Sequence, residues 1–194
     1  SLRNFSDWNV YVGNDDGVGQ TQITFESASD LHPRFNRGAT RIAFASRRTG
    51  NYEIFTMNPD GSGLTQLTFN GADDVQPYWS PDGSKIAFVS TSSSGHFLLY
   101  VASSDTDQLT GMKCLTPDNK SAVKRYYYSA FDHAINPSWS KDGKEIYFVS
   151  NQEVGHGTGD LMKINIESGT RTLIHREETS WRMKPDVSPD GTRI

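Results

Sequence analysis

Short runs of β-branched and aromatic residues return along this chain of 194 residues with nearly the same spelling. Three of them read IAFAS, IAFVS and IYFVS, at Ile42–Ser46, Ile86–Ser90 and Ile146–Ser150. Each is followed by a second extended run and then by a short closing run, at Gln66–Thr68, Cys114–Thr116 and Thr172–Ile174. This pattern, without any long apolar period of 3.6 residues, predicts short antiparallel strands joined by hairpins and almost no α-helix.

Each run is introduced by a proline, an aromatic residue and a turn, most clearly in QPYWSPDGSKIAFVS at Gln76–Ser90. Asp-Gly favours a hairpin because glycine accepts positive φ and aspartate hydrogen-bonds the local backbone. The proline is expected near the start of the first strand of each unit, where its missing N–H does little harm. We expect structural roles, including tryptophans that pack between adjacent sheets, for the recurring residues Trp79, Asp82, Gly83, Trp139, Asp142, Gly143, Asp190 and Gly191.

The interval from Pro33 to Pro77 is 44 residues, and four short strands in that length match one blade of a β-propeller. A sandwich also has short strands, but it would not repeat the same sequence in register. The sequence therefore predicts an all-β propeller of four-stranded antiparallel blades, truncated or small. Its units are a partial blade at 8–25, complete blades at 32–69, 76–116 and 136–175, an insertion at 117–135 and a partial blade at 184–194.

The partial units at the two ends fit two arrangements. In the first, residues 184–194 pair with the N-terminal strands and close a small ring. In the second, which we favour because Ile194 falls at the first residue of a core strand, the chain is a piece of a larger propeller. Its open strand edges would then pair with a second copy of the chain, and a clean monomer in sedimentation at high concentration would contradict this.

The segment Trp79–Phe88, WSPDGSKIAF, resembles the signature of TolB-type propeller repeats, a WD-like family, and the Asn58–Gly61 turn and the Gln66–Thr68 ending match the rest. Two copies depart from the pattern, since Arg37 begins a turn that lacks Pro-Asp-Gly and Val187 replaces the aromatic residue. The resemblance implies six or more blades in a complete ring and a periplasmic or otherwise exported location. It also implies either a protein-binding role or a place in a larger prolyl-oligopeptidase-like or amidohydrolase-associated protein.

Charge and composition exclude several classes of function. The net charge is −4, and no run of Lys and Arg is longer than two residues, so the basic footprint of a nucleic-acid-binding protein is missing. No apolar stretch approaches the roughly 18–20 residues that span a bilayer. The first residues contain no signal-peptide core, although a mature exported protein would look the same.

The single cysteine, Cys114, excludes an internal disulfide and fits a small apolar residue better than a nucleophile.

Catalytic motifs are missing from the sequence. It contains no G-x-S-x-G elbow, no H-E-x-x-H pair and no phosphate-binding G-x-x-x-x-G-K loop. We therefore predict no catalytic residue, no metal ligand and a non-enzymatic scaffold that binds a protein or a peptide. The alternative is the propeller domain of a larger hydrolase, which gates or binds substrate while another domain performs the chemistry. A carbohydrate-active propeller that uses carboxylates and histidines of its channel is a third, weaker possibility.

The insertion provides the first candidate binding surface. It combines basic and aromatic side chains, and Tyr and Arg are enriched in binding hot spots because they bury a large area and keep a polar group. A long loop on a rigid scaffold is also a common place for function, although the tyrosines would equally serve to cover a neighbouring blade. The predicted partner-binding residues are Lys124, Arg125, Tyr126, Tyr127, Tyr128, Phe131 and His133.

The second candidate surface is one mouth of the central channel. Acidic and polar residues lie just before each predicted first strand, and the innermost strand of a blade runs beside the channel. Converging carboxylates would bind calcium or another hard cation, or a basic peptide, whereas a solvated acidic rim is the simpler interpretation. The predicted channel-mouth residues are Asp30, His32, Asp73, Asp74, Gln76, Asp132 and Asn136.

Overall fold

All regular structure in the described part of the chain is β-strand. The structure is a computed structural model that describes residues 7–93, 96–104, 108–117, 133–150, 159–176 and 184–194. None of these residues forms an apolar helix of bilayer-spanning length. The strands are β1 (Tyr11–Val12), β2 (Thr21–Gln22), β3 (Asp30–Phe35), β4 (Ile42–Ser46), β5 (Glu53–Met57), β6 (Thr65–Gln66), β7 (Asp74–Trp79), β8 (Lys85–Ser90), β9 (Leu98–Ser103), β10 (Thr110–Cys114), β11 (Ala134–Trp139), β12 (Glu145–Ser150), β13 (Asp160–Asn165) and β14 (Arg171–His175).

The strands form three four-stranded antiparallel sheets and one two-stranded sheet, each in sequence order. We call β3–β6 blade 1, β7–β10 blade 2 and β11–β14 blade 3, and β1–β2 is the N-terminal hairpin. This arrangement confirms the predicted all-β propeller with three complete blades. Within the described residues the sheets do not close into a ring, which is the arrangement of a partial propeller.

The first strands of the blades lie side by side, with β3 packed on β7 and β7 packed on β11. An equivalent backbone hydrogen bond joins each of them to the preceding unit. The backbone N–H of Asp30 donates to the carbonyl of Trp8 at 2.7 Å, that of Asp74 to Tyr52 at 2.7 Å, and that of Ala134 to Phe97 at 2.8 Å. These first strands are therefore the inner strands, and the same contact fixes each neighbouring pair of units.

The core lies between neighbouring sheets. Phe44, Phe88 and Phe148 occupy the same position of the second strand, and all are fully buried. Phe44 packs in the apolar cluster with the N-terminal hairpin, Phe88 in the cluster between blades 1 and 2, and Phe148 in the cluster between blades 2 and 3. Each phenylalanine thus packs toward the preceding unit, which explains why this position returns in every repeat.

The two repeat tryptophans also pack between sheets, but their polar contacts differ. Trp139 belongs to the cluster between blades 2 and 3, and its Nε1 donates to the carbonyl of Tyr78 at 2.9 Å. Trp79 packs against the cluster between blades 1 and 2, and its Nε1 is buried without a hydrogen-bond partner. The expected packing role is therefore observed for both, while the hydrogen bond occurs at Trp139.

Two of the three closing strands end earlier than the sequence predicted, whereas the third, predicted at Thr172–Ile174, lies within the observed Arg171–His175. The prediction placed the first two at Gln66–Thr68 and Cys114–Thr116, whereas the observed strands are Thr65–Gln66 and Thr110–Cys114. The reason is that threonine replaces a backbone partner. The Oγ1 of Thr68 accepts the N–H of Ile54 at 2.9 Å, and that of Thr116 accepts the N–H of Leu99 at 3.0 Å. The Leu-Thr ending thus completes the pairing with a side-chain hydroxyl.

The repeat prolines do not start the inner strands, which corrects a second expectation. Pro33, Pro77 and Pro137 lie in the middle of β3, β7 and β11, where the register shifts by one residue. A bulge of this kind leaves an unpaired residue, so the missing N–H of proline removes no ladder hydrogen bond. The residues before the prolines, His32, Gln76 and Asn136, have positive φ values of 55°, 54° and 54°.

The turn after each inner strand is held by its aspartate. Asp82, Asp142 and Asp190 each accept a serine hydroxyl, from Ser80 (2.5 Å), Ser140 (2.6 Å) and Ser188 (2.6 Å), and a backbone N–H two residues on. These hydrogen bonds lower the pKa of Asp82 and of Asp190 to about 2. Described residues 184–194 keep this turn, and no strand lies within them.

Replacing Gly61 by alanine is expected to destabilise the contact between blade 1 and the N-terminal hairpin. Gly61 has a φ of 84°, and a Cβ there would lie 2.9 Å from the carbonyl oxygen of Ile23. Gly17, with a φ of 79° and open space around it, is the control for the backbone strain alone. Urea unfolding should show that Gly61→Ala loses about 1–3 kcal/mol more than Gly17→Ala, and equal losses would contradict the close approach.

Candidate binding site on the inner strands

A cavity of about 340 Å³ lies between the inner strands, at the proline bulges. Four repeats contribute the same pair of positions to its wall, namely His32-Pro33, Gln76-Pro77, Asn136-Pro137 and Lys184-Pro185. The backbone frame is thus repeated, while the residue before proline differs in every copy. A site built from one position of several repeats combines a rigid scaffold with four different side chains.

The left-handed backbone before the prolines of β3, β7 and β11 is an uncommon feature for residues with a Cβ. Three equivalent residues share it, so the repeat itself imposes the conformation. Neighbouring copies are also linked, since the backbone N–H of Asn136 donates to Oε1 of Gln76 at 2.7 Å. Backbone strain of this kind is concentrated at functional sites, because the surrounding structure must maintain it.

Positive charge surrounds His32 in this cavity. Burial, and then the charges of Lys184 and Arg34, hold the pKa of His32 below its usual range. The imidazole is therefore neutral at neutral pH. Its Nδ1 is buried and has no hydrogen-bond partner. The cavity thus gains its positive character from two long side chains rather than from histidine.

Tyr78 connects this cavity to the next one along the inner strands. Its ring centroid lies 5.2 Å from the guanidinium carbon of Arg34, and its hydroxyl donates to Oδ1 of Asp186 at 2.8 Å. Burial, and then Asp186, raise the pKa of the phenol. Tyr78 therefore joins blade 1, blade 2 and the C-terminal residues around one aromatic side chain.

Two further cavities continue from Tyr78 toward the Asp-Gly turns. The second cavity, about 300 Å³, is lined by Tyr78 and also by Arg37 and Lys141. The third, about 370 Å³, shares Arg37 and Lys141 with the second and adds Lys85 and Lys144. We call the three together the inner groove. It runs from the proline bulges to the turns along one face of the inner strands.

The structure separates the predicted channel-mouth residues into two groups. His32, Gln76 and Asn136 line the first cavity, although they lie within the inner strands rather than before them. Asp30 and Asp74 begin those strands and are buried, which corrects the expectation of an exposed acidic rim at these positions. A buried carboxylate requires partners within the protein, so neither of these groups is presented to a ligand at the mouth.

Each described member of the acidic group has a local partner. Asp30 forms an ion pair with Arg48 at 3.2 Å, and Oδ2 of Asp74 accepts a hydrogen bond from the side chain of Asn70 at 2.7 Å. The carboxylate of Asp73 accepts the backbone N–H of Tyr52 at 3.0 Å. Asp132 lies outside the described residues.

The described residues contain no group of three or more His, Cys, Asp or Glu side chains that could hold a metal ion. A calcium site at the mouth stays a prediction. An unchanged melting temperature on titration with calcium or magnesium would contradict it.

The predicted loop surface falls almost entirely outside the described residues. Those outside are Lys124, Arg125, Tyr126, Tyr127, Tyr128 and Phe131. His133 is described and lies against Phe97, whose backbone N–H donates to its Nδ1 at 3.3 Å and whose ring centroid is 5.7 Å away. The pair borders an apolar cavity of about 310 Å³ between blades 2 and 3. A binding role for the loop stays a prediction.

Sequence reasoning missed Arg34, Tyr78, Lys184 and Asp186 as members of a site. A signal for three of them was present, because Arg34, Tyr78 and Asp186 all occupy the position after the repeat proline. That position changes its residue in every copy while the residues around it recur. Variation inside a fixed frame indicates a surface that the fold leaves free for recognition.

Solved structures of known proteins contain the same fold. The chain is similar to TolB from Acinetobacter baumannii, with a TM-score of 0.70 and 22% identity over 94% of this chain and 41% of that chain. It is also similar to a putative TolB from Agrobacterium tumefaciens, with a TM-score of 0.64 and 17% identity over 89% and 55% of the two chains. A puromycin-hydrolyzing peptidase from Mycobacterium tuberculosis matches with a TM-score of 0.64 and 12% identity, over 90% and 27%.

These likenesses show the fold, and the chain spans about half or less of the length of each TolB structure. A search of curated protein sequences found no significant match. The decisive comparison is with family models, in which the TolB beta propeller domain matches residues 1–123. That match covers more than half of the 194 residues and includes blades 1 and 2. The chain therefore belongs to the TolB β-propeller domain family.

Proposed function

We propose that this chain is a non-enzymatic scaffold that binds a protein or peptide partner along the inner groove. The observation that supports this most strongly is the first cavity, where four repeats contribute four different side chains from the same sequence position. A rigid frame with variable side chains is how a repeat fold gains a binding specificity without changing its architecture.

The form of the inner groove suits an extended segment. Its three cavities have volumes of about 340, 300 and 370 Å³ and are joined through shared wall residues. Tyr78 stands at the first junction and presents an aromatic ring with a polar end, which is typical of an anchor in an interface. Gln76 lines the first cavity, and its Oε1 already accepts the backbone N–H of Asn136 at 2.7 Å, so its side-chain NH2 is the group that would donate to a peptide carbonyl.

Location and assembly complete the proposal. The TolB family supports export to the periplasm, or to another compartment outside the cytoplasm, as the place where the chain acts.

Pairing of open sheet edges between two copies of the chain stays a second prediction about partners. Sedimentation equilibrium measures it directly, and a monomer at high concentration would contradict it.

The alternative function is that of a propeller domain in a larger hydrolase. The likeness to the puromycin-hydrolyzing peptidase favours it, because that chain is longer and only 27% of it is matched here. The two functions separate in an assay of the full-length gene product. A hydrolase domain outside this chain that cleaves a groove-binding peptide would select the alternative, and recovery of the intact peptide by mass spectrometry after long incubation would support the scaffold.

Replacing Tyr78 by alanine is expected to weaken peptide binding about tenfold or more, since loss of an aromatic anchor typically costs over 1 kcal/mol. The peptides are selected from an unbiased displayed library, and their affinities are measured by fluorescence anisotropy. Tyr11→Ala is the matched control, because Tyr11 is exposed on the N-terminal hairpin, away from the groove. Equal affinities for wild type and Tyr78→Ala would contradict a site in the inner groove.

The loop prediction has its own test. If residues 124–131 contact the partner, Tyr127→Ala should weaken binding of the selected peptides or of a captured partner. Unchanged capture would remove the loop from the site and would leave the inner groove unaffected.

A further inference from the structure

We infer that the ligand of the inner groove is an acidic peptide segment in extended conformation. This rests on the proposed function and adds to it the chemistry of the ligand. Six cationic side chains line the groove over its whole length: Arg34, Lys184, Arg37, Lys141, Lys85 and Lys144. The sequence had pointed to the opposite ligand, a cation or a basic peptide, because it placed carboxylates at the mouth.

Several of these cations are available to a ligand. Among the described residues, none comes within hydrogen-bonding or ion-pairing distance of the side chains of Arg37, Lys85 and Lys144. Lys141 donates to a backbone carbonyl, that of Asp190, at 3.3 Å. Arg34 lies over the ring of Tyr78. No carboxylate of the described residues pairs with the guanidinium, so the five N–H donors of Arg34 can bind a ligand. Surface cations that make no direct contact with a carboxylate are the groups that an anionic ligand would engage.

The acidic residues of the groove are fewer, and three of the four already accept hydrogen bonds within the protein. Asp82 and Asp142 line the third cavity, but each is held by the hydroxyl and the backbone N–H of its own turn. Asp186 accepts hydrogen bonds from the hydroxyl of Tyr78 and from the backbone N–H of Val187. With Glu167, the lining contains four acidic residues against six cations, although the whole chain has a net charge of −4. The groove is thus positive on a negative molecule.

This charge pattern favours a carboxylate-bearing chain. Arginine binds a carboxylate through two parallel hydrogen bonds, whereas lysine contributes a point charge that attracts without fixing geometry. In an extended peptide, alternate side chains point the same way and lie roughly 7 Å apart, so successive acidic residues can meet successive cations. The side-chain NH2 of Gln76 would donate to a backbone carbonyl of the peptide between them, and a peptide, which offers such an acceptor at every residue, fits this better than an anionic polysaccharide.

The test uses three fluorescein-labelled decapeptides that alternate serine with glutamate, glutamine or lysine. We expect the glutamate peptide to bind about tenfold or more tightly than the glutamine peptide at low salt, with affinity falling as salt rises. The double variant Arg34→Gln with Lys141→Gln should lose about tenfold for the glutamate peptide. The control of equal charge is Arg47→Gln with Lys163→Gln, since neither side chain lines the groove and Lys163 pairs with Glu145, which lies outside it. Melting temperatures check that both variants fold.

Each outcome decides a separate point. Weaker binding of the glutamate peptide in the groove variant than in the control supports the inference. No binding of the glutamate peptide, or equal losses in both double variants, would overturn it. Binding of the glutamine or lysine peptide that depends on Tyr78 and is as tight as binding of the glutamate peptide would overturn the acidic ligand and keep the proposed function. A polyglucuronate oligosaccharide that binds more tightly than the glutamate peptide would overturn the assignment to a peptide.

Discussion

Phe88→Ala is expected to lower the free energy of unfolding by about 3–5 kcal/mol. The side chain of Phe88 is 1% exposed and stacks on Tyr100 with ring centroids 5.7 Å apart, in the apolar cluster between blades 1 and 2. Its removal leaves a cavity where two sheets meet. The free energy of unfolding therefore falls both because less apolar surface is buried and because the cavity loses packing contacts. Unfolding in urea, followed by tryptophan fluorescence, measures it.

Phe69 is the matched control for this prediction. It is 67% exposed, so Phe69→Ala should change the free energy of unfolding by less than about 0.5 kcal/mol. A large difference between the two variants shows that the repeat phenylalanine stabilises the contact between blades. Similar losses in both variants would mean that neighbouring sheets do not share the core described here.

Asp74→Asn is expected to stabilise the protein at pH 8, which is unusual for a change at a fully buried position. Asp74 is the first residue of β7, and its Oδ1 is buried without a hydrogen-bond partner. Its pKa is raised to about 6, mainly by burial and to a smaller extent by the carboxylate of Glu53. The polar groups of Ser90, Asn70 and Thr68 partly offset this effect.

The direction of the pH dependence follows from proton linkage. The folded state binds the Asp74 proton more tightly than the unfolded state, whose pKa has the ordinary value of 3.8. The stabilisation of the folded state that comes from tighter proton binding at Asp74 is thus fully present below pH 3.8 and is lost as the pH rises through about 6. A shift of about two pKa units corresponds to about 3 kcal/mol. The difference in unfolding free energy between Asp74→Asn and wild type should therefore grow from pH 4 to pH 8.

Asp30 supplies a control at the equivalent position of blade 1. Its carboxylate pairs with Arg48 at 3.2 Å, so Asp30→Asn removes the counter-ion of a largely buried guanidinium. This variant should lose about 1–3 kcal/mol at pH 8. The two substitutions thus have opposite signs at one repeat position. A loss of stability at pH 8 in Asp74→Asn as well would contradict the buried, poorly satisfied carboxylate.

The fold was largely predictable because the repeat encodes it locally. Asp-Gly turns and runs such as IAFVS at 86–90 specify hairpins and buried strands from nearest neighbours alone. Two of the closing strands were placed too late because the sequence does not show that Thr68 and Thr116 pair through their hydroxyls. The prolines were placed at strand starts because a bulge depends on the register of the neighbouring strand, which is a property of the sheet.

The site was less predictable than the fold. His32, Gln76 and Asn136 were identified because they precede a repeat proline, and the structure places all three on one cavity. Asp30 and Asp74 were assigned to an exposed rim because sequence does not show burial or the partners Arg48 and Asn70. The cations of the groove were missed because Arg34, Lys141 and Lys184 come from three different repeats and meet only in the folded chain.

Hydrogen–deuterium exchange with a peptide selected from an unbiased library tests the central claim most directly, namely that the inner groove is the binding site. The account predicts slower exchange on peptide binding in β3, β7 and β11, at the residues around the proline bulges and the turns that follow. Slower exchange confined to the outer strands β6, β10 and β14, or to residues 117–135, would contradict it.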